Sequence, residues 1–248
     1  MKLLKTVVGT ALLAAATTVS AVPVTLNMVG ASWENVQGEN VTDNVTGVGT
    51  NEIRWGARTD KNKSGYRFDA ADNLPLTFES GDYFTLGTFT HINFPITSGT
   101  AITSADLDLT VELDILGTSL EQGPYTFSFK HTETPNNACI GLYLPFIGCL
   151  GWENGNVDDI VELDTSFLSD EFIVDSYAFS LEIIGFQDMK TQRIIDELST
   201  KEGDKTSANV IARLNVRDLP REVPEPASVA LMGIALAGTV FLRRRKQA

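Results

Sequence analysis

Between Val22 and Arg221 apolar and polar residues alternate in short runs, and long helical periodicity is scarce. Leu107, Leu109, Val111, Leu113 and Ile115 are apolar, with Asp108, Thr110, Glu112 and Asp114 between them. That period of two marks a strand with one buried face. The same pattern recurs in Tyr125–Lys130, Tyr177–Ile183 and Val210–Val216, separated by Gly, Asn and Asp clusters. Short strands divided by turn signals predict an all-β fold, an antiparallel β-sandwich of jelly-roll or immunoglobulin-like type, rather than a parallel sheet with crossover helices. Met189–Leu198 reads as one short helix, and Gln37–Thr50, rich in Asn, Gly and Thr, reads as loop. No repeat of the kind that marks solenoids or propellers is present.

Two apolar runs interrupt this alternation, one near each end. Val7–Ala16 follows Lys2 and Lys5 and precedes Val19-Ser20-Ala21, the three parts of a signal peptide, with cleavage by signal peptidase predicted after Ala21. Ala227–Leu242 is 16 residues long, about 24 Å as a helix against a hydrocarbon core of about 30 Å. It reads as a short transmembrane helix that halts when flanking residues snorkel or the bilayer thins, leaving Arg243-Arg244-Arg245-Lys246 on the cytoplasmic side. Pro224 and Pro226 keep the segment before it extended, and Glu225 sits favourably near the helix N-terminus. The expected organisation is a signal peptide at 1–21, one β domain at 22–216, a tether at 217–223 and a C-terminal signal at 223–248.

Pro224-Glu225-Pro226, the apolar helix and the terminal basic cluster together resemble the PEP-CTERM tripartite signal of Gram-negative bacteria. The resemblance implies an exported protein, held transiently in the inner membrane. There it is cut near the motif by an exosortase, a multi-pass enzyme resembling a cysteine transpeptidase, and passed to the cell surface or the exopolysaccharide matrix of a biofilm. Within the body, Thr90-His91-Ile92-Asn93 matches the Thr-His-x-Asn signature of the THxN family of PEP-CTERM proteins. Arg54-Trp55-Gly56, Ser64-Gly65-Tyr66-Arg67-Phe68, Glu133-Thr134-Pro135-Asn136 and Asp158-Asp159 resemble the same family and its choice-of-anchor K domain. That resemblance implies a surface domain used with different anchoring devices and brings no biochemical activity with it.

Charge narrows the partners. Setting aside Lys2, Lys5 and the four terminal cations, 13 basic side chains face 32 acidic ones, a net charge of −19. Such a surface repels nucleic acid and anionic lipid and suits solubility outside the cell. The two cysteines, Cys139 and Cys149, are expected to form a disulfide in the compartment that export implies. Zinc is the weaker reading for them, since it needs about four ligands and only His91 and His131 could be added.

Candidate chemistry is sparse. On a strand, His91 and Asn93 share one face, where they could hold a ligand or metal, or hydrogen-bond to loop backbone and fix the strand's register. Neither Gly-x-Ser-x-Gly nor His-Glu-x-x-His occurs, and no pair of carboxylates stands out among 32, so no catalytic residue is assigned and no enzyme is expected. Asn154, Asn156, Asp158 and Asp159 alternate oxygen ligands around Gly155, a pattern that could bind calcium but lacks the full EF-hand spacing; a solvated turn is the alternative. No other cofactor is indicated. Leu142–Ile147 form an apolar hairpin tip, read as a flap on the core or as a partner-binding patch. Trp33, Trp55 and Trp152 could act as sugar-stacking platforms of a carbohydrate-binding or adhesive module, although an isolated tryptophan in a β protein is more often core.

Overall fold

The computed structural model describes residues 21–56, 62–134, 137–139, 143–146, 148–149, 152–154, 158–164 and 168–220. The signal-peptide segment before Ala21, the Pro224-Glu225-Pro226 motif, the run 227–242 and Asn156 lie outside them, as do the side chains of Cys139, Cys149, Trp152 and Asn154. In chain order the elements are β1 (Pro23–Gly38), α1 (Val41–Asn44), β2 (Glu52–Trp55), β3 (Ser64–Ala70), β4 (Leu76–Glu79), β5 (Tyr83–Ile92), β6 (Ile102–Ile115) and β7 (Thr118–Thr132). They continue as β8 (Asn137–Cys139), β9 (Tyr143–Leu144), β10 (Gly148–Cys149), β11 (Trp152–Asn154), β12 (Asp159–Leu163) and β13 (Phe172–Val174). The last are β14 (Tyr177–Asp188), β15 (Ile194–Ile195), β16 (Glu197–Thr200) and β17 (Lys205–Asp218).

Apart from the two small pairs β8–β11 and β9–β10, these strands form two curled antiparallel sheets. The first runs β16-β12-β7-β6-β1-β4, and the second β13-β14-β17-β5-β3-β2 with β15 added on β14. The all-β antiparallel expectation is met, and the four strands read from alternation fall within β6, β7, β14 and β17. In β6, Ala105, Leu107, Leu109, Val111, Leu113 and Ile115 are buried while Asp106, Asp108, Thr110, Glu112 and Asp114 are half-exposed. Burying each such aliphatic side chain stabilises the fold by about 1.5–3 kcal/mol. Bulges in β7 between Gln122 and Tyr125, opposite Leu109–Val111 of β6, and in β14 between Ile183 and Gly185 add local twist to the two sheets.

The apolar faces of the sheets meet on a cluster of rings. Phe129 of β7 lies 5.1 Å from Phe89 of β5 and 6.0 Å from Phe186 of β14, while Trp33 of β1 lies 5.2 Å from Tyr66 of β3. Trp33 and Trp55 are fully buried in this core, so neither offers a face to an external sugar. The tip of the β9–β10 hairpin behaves differently from a packed flap: Phe146 is 100% exposed.

Met189–Leu198 does not form the expected helix. The Asp188 carboxylate accepts from the backbone N–H groups of Lys190 and Thr191, at 3.0 and 2.6 Å, and closes a turn. Ile194–Ile195 then pairs with β14 and Glu197–Thr200 with β12. A side-chain oxygen that satisfies backbone donors locally outcompetes a helix start, and the β-branched pair that follows favours the pleat. Of the expected loop Gln37–Thr50, Gln37 and Gly38 instead end β1, paired with β6, and the rest is loop apart from the single turn α1 and a bridge between Thr46 and Arg54. Among the described residues no helix is long and apolar enough to cross a membrane.

Candidate functional site

Polar groups gather between the sheets at one end, where the chain crosses from β16 in the first sheet to β17 in the second. β5 delivers His91 and, just beyond its end, Asn93; β3 delivers Tyr66, directly opposite His91 in the ladder; β2 ends on Trp55. From the first sheet come His131 at the end of β7 and Asp159 at the start of β12. Glu133 follows His131 by two residues, which alternation places on the same face. His91, Asn93 and Asp159 are fully buried and the His131 side chain is 0% exposed, while the Glu133 side chain keeps 19% exposure and marks the open side.

Within the Thr-His-x-Asn segment the three named residues act separately. Thr90 faces outward and shares a 2.8 Å hydroxyl hydrogen bond with Ser207 of β17. Asn93 laces the β16–β17 crossover: its Nδ2 donates to the Thr200 carbonyl at 3.0 Å, its backbone N–H donates to Asp204 at 2.9 Å, and its carbonyl accepts from Gly203 at 3.0 Å. The His91 side chain packs against rings. Trp55 lies nearly parallel to it at 6.4 Å, and Tyr66 and His131 meet it edge-on at 5.4 and 5.3 Å. Neither of its ring nitrogens has a hydrogen-bond partner among the described residues.

The other members are oriented from outside. Tyr66 Oη and His131 Nδ1 share a 2.8 Å hydrogen bond, and His131 Nε2 lies 3.3 Å from Glu133 Oε2. The Thr134 N–H and hydroxyl both donate to Asp159 Oδ1, at 2.9 and 2.8 Å, and leave Asp159 Oδ2 without a donor. Burial dominates the protonation of the cluster: it lowers His131 to about 4 and raises Glu133 to about 7 and Asp159 to about 6. Burial, reinforced by His131, also holds His91 well below its ordinary value, so both imidazoles are neutral. One ligand atom from each of His91, His131 and Asp159 can be chosen so that all lie within 4.8 Å of one another.

Asp158 turns away from this cluster and accepts from the Ser199 hydroxyl of β16, so the adjacent members of the expected calcium set, Asp158 and Asp159, are engaged on different sides of β12. The cysteines flank the excursion between β7 and β12, with Cys139 opposite Trp152 in the β8–β11 pair and Cys149 opposite Tyr143 in the β9–β10 pair. His131, Glu133 and Asp159 were not singled out as a group by local spacing. The available signal was His131-x-Glu133 at strand alternation, followed by a second acidic strand start at Asp158-Asp159.

Comparison with protein families matches residues 222–246 to the PEP-CTERM protein-sorting motif. No curated protein matches the chain. The motif implies a protein that is exported and processed by an exosortase.

Proposed function

We propose that this chain is a non-enzymatic surface or extracellular-matrix protein whose β-sandwich body, jelly-roll or immunoglobulin-like, is cargo and whose C-terminal signal is its address. The observation that carries the reading is the sorting motif at 222–246 joined to an acidic body rich in antiparallel strands. In this reading signal peptidase cuts after Ala21 and the run 227–242 halts the chain in the inner membrane of a Gram-negative cell. An exosortase then cuts at Pro224-Glu225-Pro226, and the product joins the exopolysaccharide of a biofilm. The Thr90-His91-Ile92-Asn93 signature supports membership of the THxN group. Replacing Pro224-Glu225-Pro226 by three alanines should leave an unprocessed, membrane-retained chain, read by mass spectrometry of the C-terminus and by surface labelling. Normal maturation of that variant would refute the sorting assignment.

A carbohydrate-binding role has one observation in its favour. Tyr83 is 62% exposed, carries the Arg213 guanidinium 5.7 Å from its ring centre, and lines a groove with Asp72, Asn73, Thr77 and Asn209. An exposed ring flanked by amide and carboxylate groups suits a sugar's apolar face and hydroxyls. Pull-down on matrix polysaccharides, with Tyr83→Ala as the control, tests it; retention that is absent, or identical in the variant, would remove this groove from consideration.

A further inference from the structure

We propose that His91, His131 and Asp159, with Glu133 at the open side, form a site for one divalent cation of the zinc class that ties the two sheets together. The ligand set is assembled from both sheets, His91 from the second and His131 and Asp159 from the first. Its three buried ligand atoms lie within 4.8 Å of one another. Tetrahedral zinc with bonds of about 2.0–2.1 Å places its ligands about 3.3–3.5 Å apart. Side-chain adjustments of about an ångström therefore close the site, without moving either sheet.

Three polar atoms of the ligand set have no hydrogen-bond partner among the described residues: both ring nitrogens of His91 and Oδ2 of Asp159. Buried polar atoms are nearly always satisfied, so a cluster of unsatisfied ones signals something that fills the space between them. The surrounding bonds leave the His91 nitrogens and Asp159 Oδ2 unpartnered and set His131 Nε2 3.3 Å from Glu133 Oε2 at the open side. Tyr66 occupies His131 Nδ1 and turns Nε2 toward the cluster, Thr134 occupies Asp159 Oδ1 and releases Oδ2, and Trp55 stacks on His91 and fixes its plane. Outer hydrogen bonds of this kind are how proteins aim metal ligands.

Charge and ligand type select the ion. Among the described residues no Lys or Arg is ion-paired with Asp159 or Glu133, so a divalent cation matches the two carboxylates when both are ionised. Two imidazoles with carboxylate oxygens suit zinc and its neighbours, whereas calcium takes oxygen ligands alone. Three buried protein ligands drawn from both sheets, with Glu133 beside them at the open side, make the ion a structural tie.

The test uses the full-length chain in detergent, stripped with a chelator, then titrated with zinc and separately with cobalt. The expected result is one equivalent bound, a raised melting temperature, and the visible bands of tetrahedral nitrogen–oxygen cobalt. Glu133→Gln, a change at the partly exposed ligand, should weaken zinc by about tenfold or more, and His91→Gln should abolish the cobalt spectrum. Asp158→Asn and the double variant Cys139→Ser/Cys149→Ser should bind zinc as the parent does, and calcium should not compete. Absence of stoichiometric zinc, as when buried water fills the cluster, would overturn the proposal. So would a cobalt spectrum that survives His91→Gln or shows thiolate bands lost with the cysteines. If His91→Gln does not fold, unchanged zinc affinity in Glu133→Gln overturns it alone.

Discussion

Phe129→Ala tests whether the ring cluster is what joins the sheets. The side chain is fully buried, and its ring centre lies 5.0 Å from Trp33, 5.1 Å from Phe89, 6.0 Å from Phe186 and 6.3 Å from Tyr66. Truncation loses the transfer energy of the ring and leaves a void, together about 3–5 kcal/mol in buried positions. The upper part of that range is expected, because the surrounding rings are anchored on four different strands and cannot all collapse into the space. Against a total stability of about 5–15 kcal/mol, the loss should lower the melting temperature of a domain this size by roughly 8–20 °C. Urea unfolding followed by tryptophan fluorescence reads it directly, with Trp33 reporting from within the cluster. Phe129→Leu should fall between parent and alanine variant. A loss below about 1 kcal/mol, the scale of a surface substitution, would show that the sheets are held elsewhere and refute the reasoning.

Four further substitutions have outcomes set by the same packing and hydrogen bonds. In Gly87→Ala the new methyl meets the Asp69 carbonyl oxygen and the Phe68 ring, neither of which can step aside, so thermal melts should show a loss of about 1–3 kcal/mol. Gly30→Ala should cost visibly less, since its first obstacle is the rotatable hydroxyl of Thr110. Tyr66→Phe removes the hydrogen bond to His131 Nδ1 and leaves a buried nitrogen unpaired, a loss of about 1–3 kcal/mol by chemical denaturation with little change in volume. Glu182 is held below the ordinary carboxylate value by Asn215 and then Arg213, so its contribution is present above about pH 4.3 and is lost as pH falls through the lower folded value. Glu182→Gln should therefore lose less stability than the parent between neutral pH and pH 3, by up to about 1 kcal/mol in urea midpoints.

The strands were legible wherever one face is buried and the other wet, because alternation then records the pleat directly. Leu107–Ile115 shows this, as does the segment in β7, whereas Ala178–Leu181 in β14 and Val210–Ala212 in β17 are buried on both faces. Met189–Leu198 was misread because its spacing is compatible with a helix, while the deciding interaction, the Asp188 carboxylate on two backbone donors, begins one residue before it. The shared face of His91 and Asn93 was visible from strand geometry, and Asn93 fixes loop backbone as one reading anticipated. The company His91 keeps was not visible. His131 comes from the other sheet and Asp159 reaches the corner only because β12 pairs with β7, so neither is connected to His91 by any local spacing.

The polar corner is costly to bury. Two imidazoles and two carboxylates withdrawn from water cost free energy that leucine or phenylalanine at those positions would not, and the rest of the interface shows that this fold can close on apolar rings alone. Tyr66 connects the two regions. Its ring packs 5.1 Å from Phe89 and 5.2 Å from Trp33, while its hydroxyl fixes His131. Phe129 touches the same ring, so loosening the apolar contact also loosens the aim of the imidazole. Packing between the sheets and the geometry of the polar corner are therefore one coupled structure, and energies of substitutions in the two regions should fail to add when Tyr66 is one of the pair.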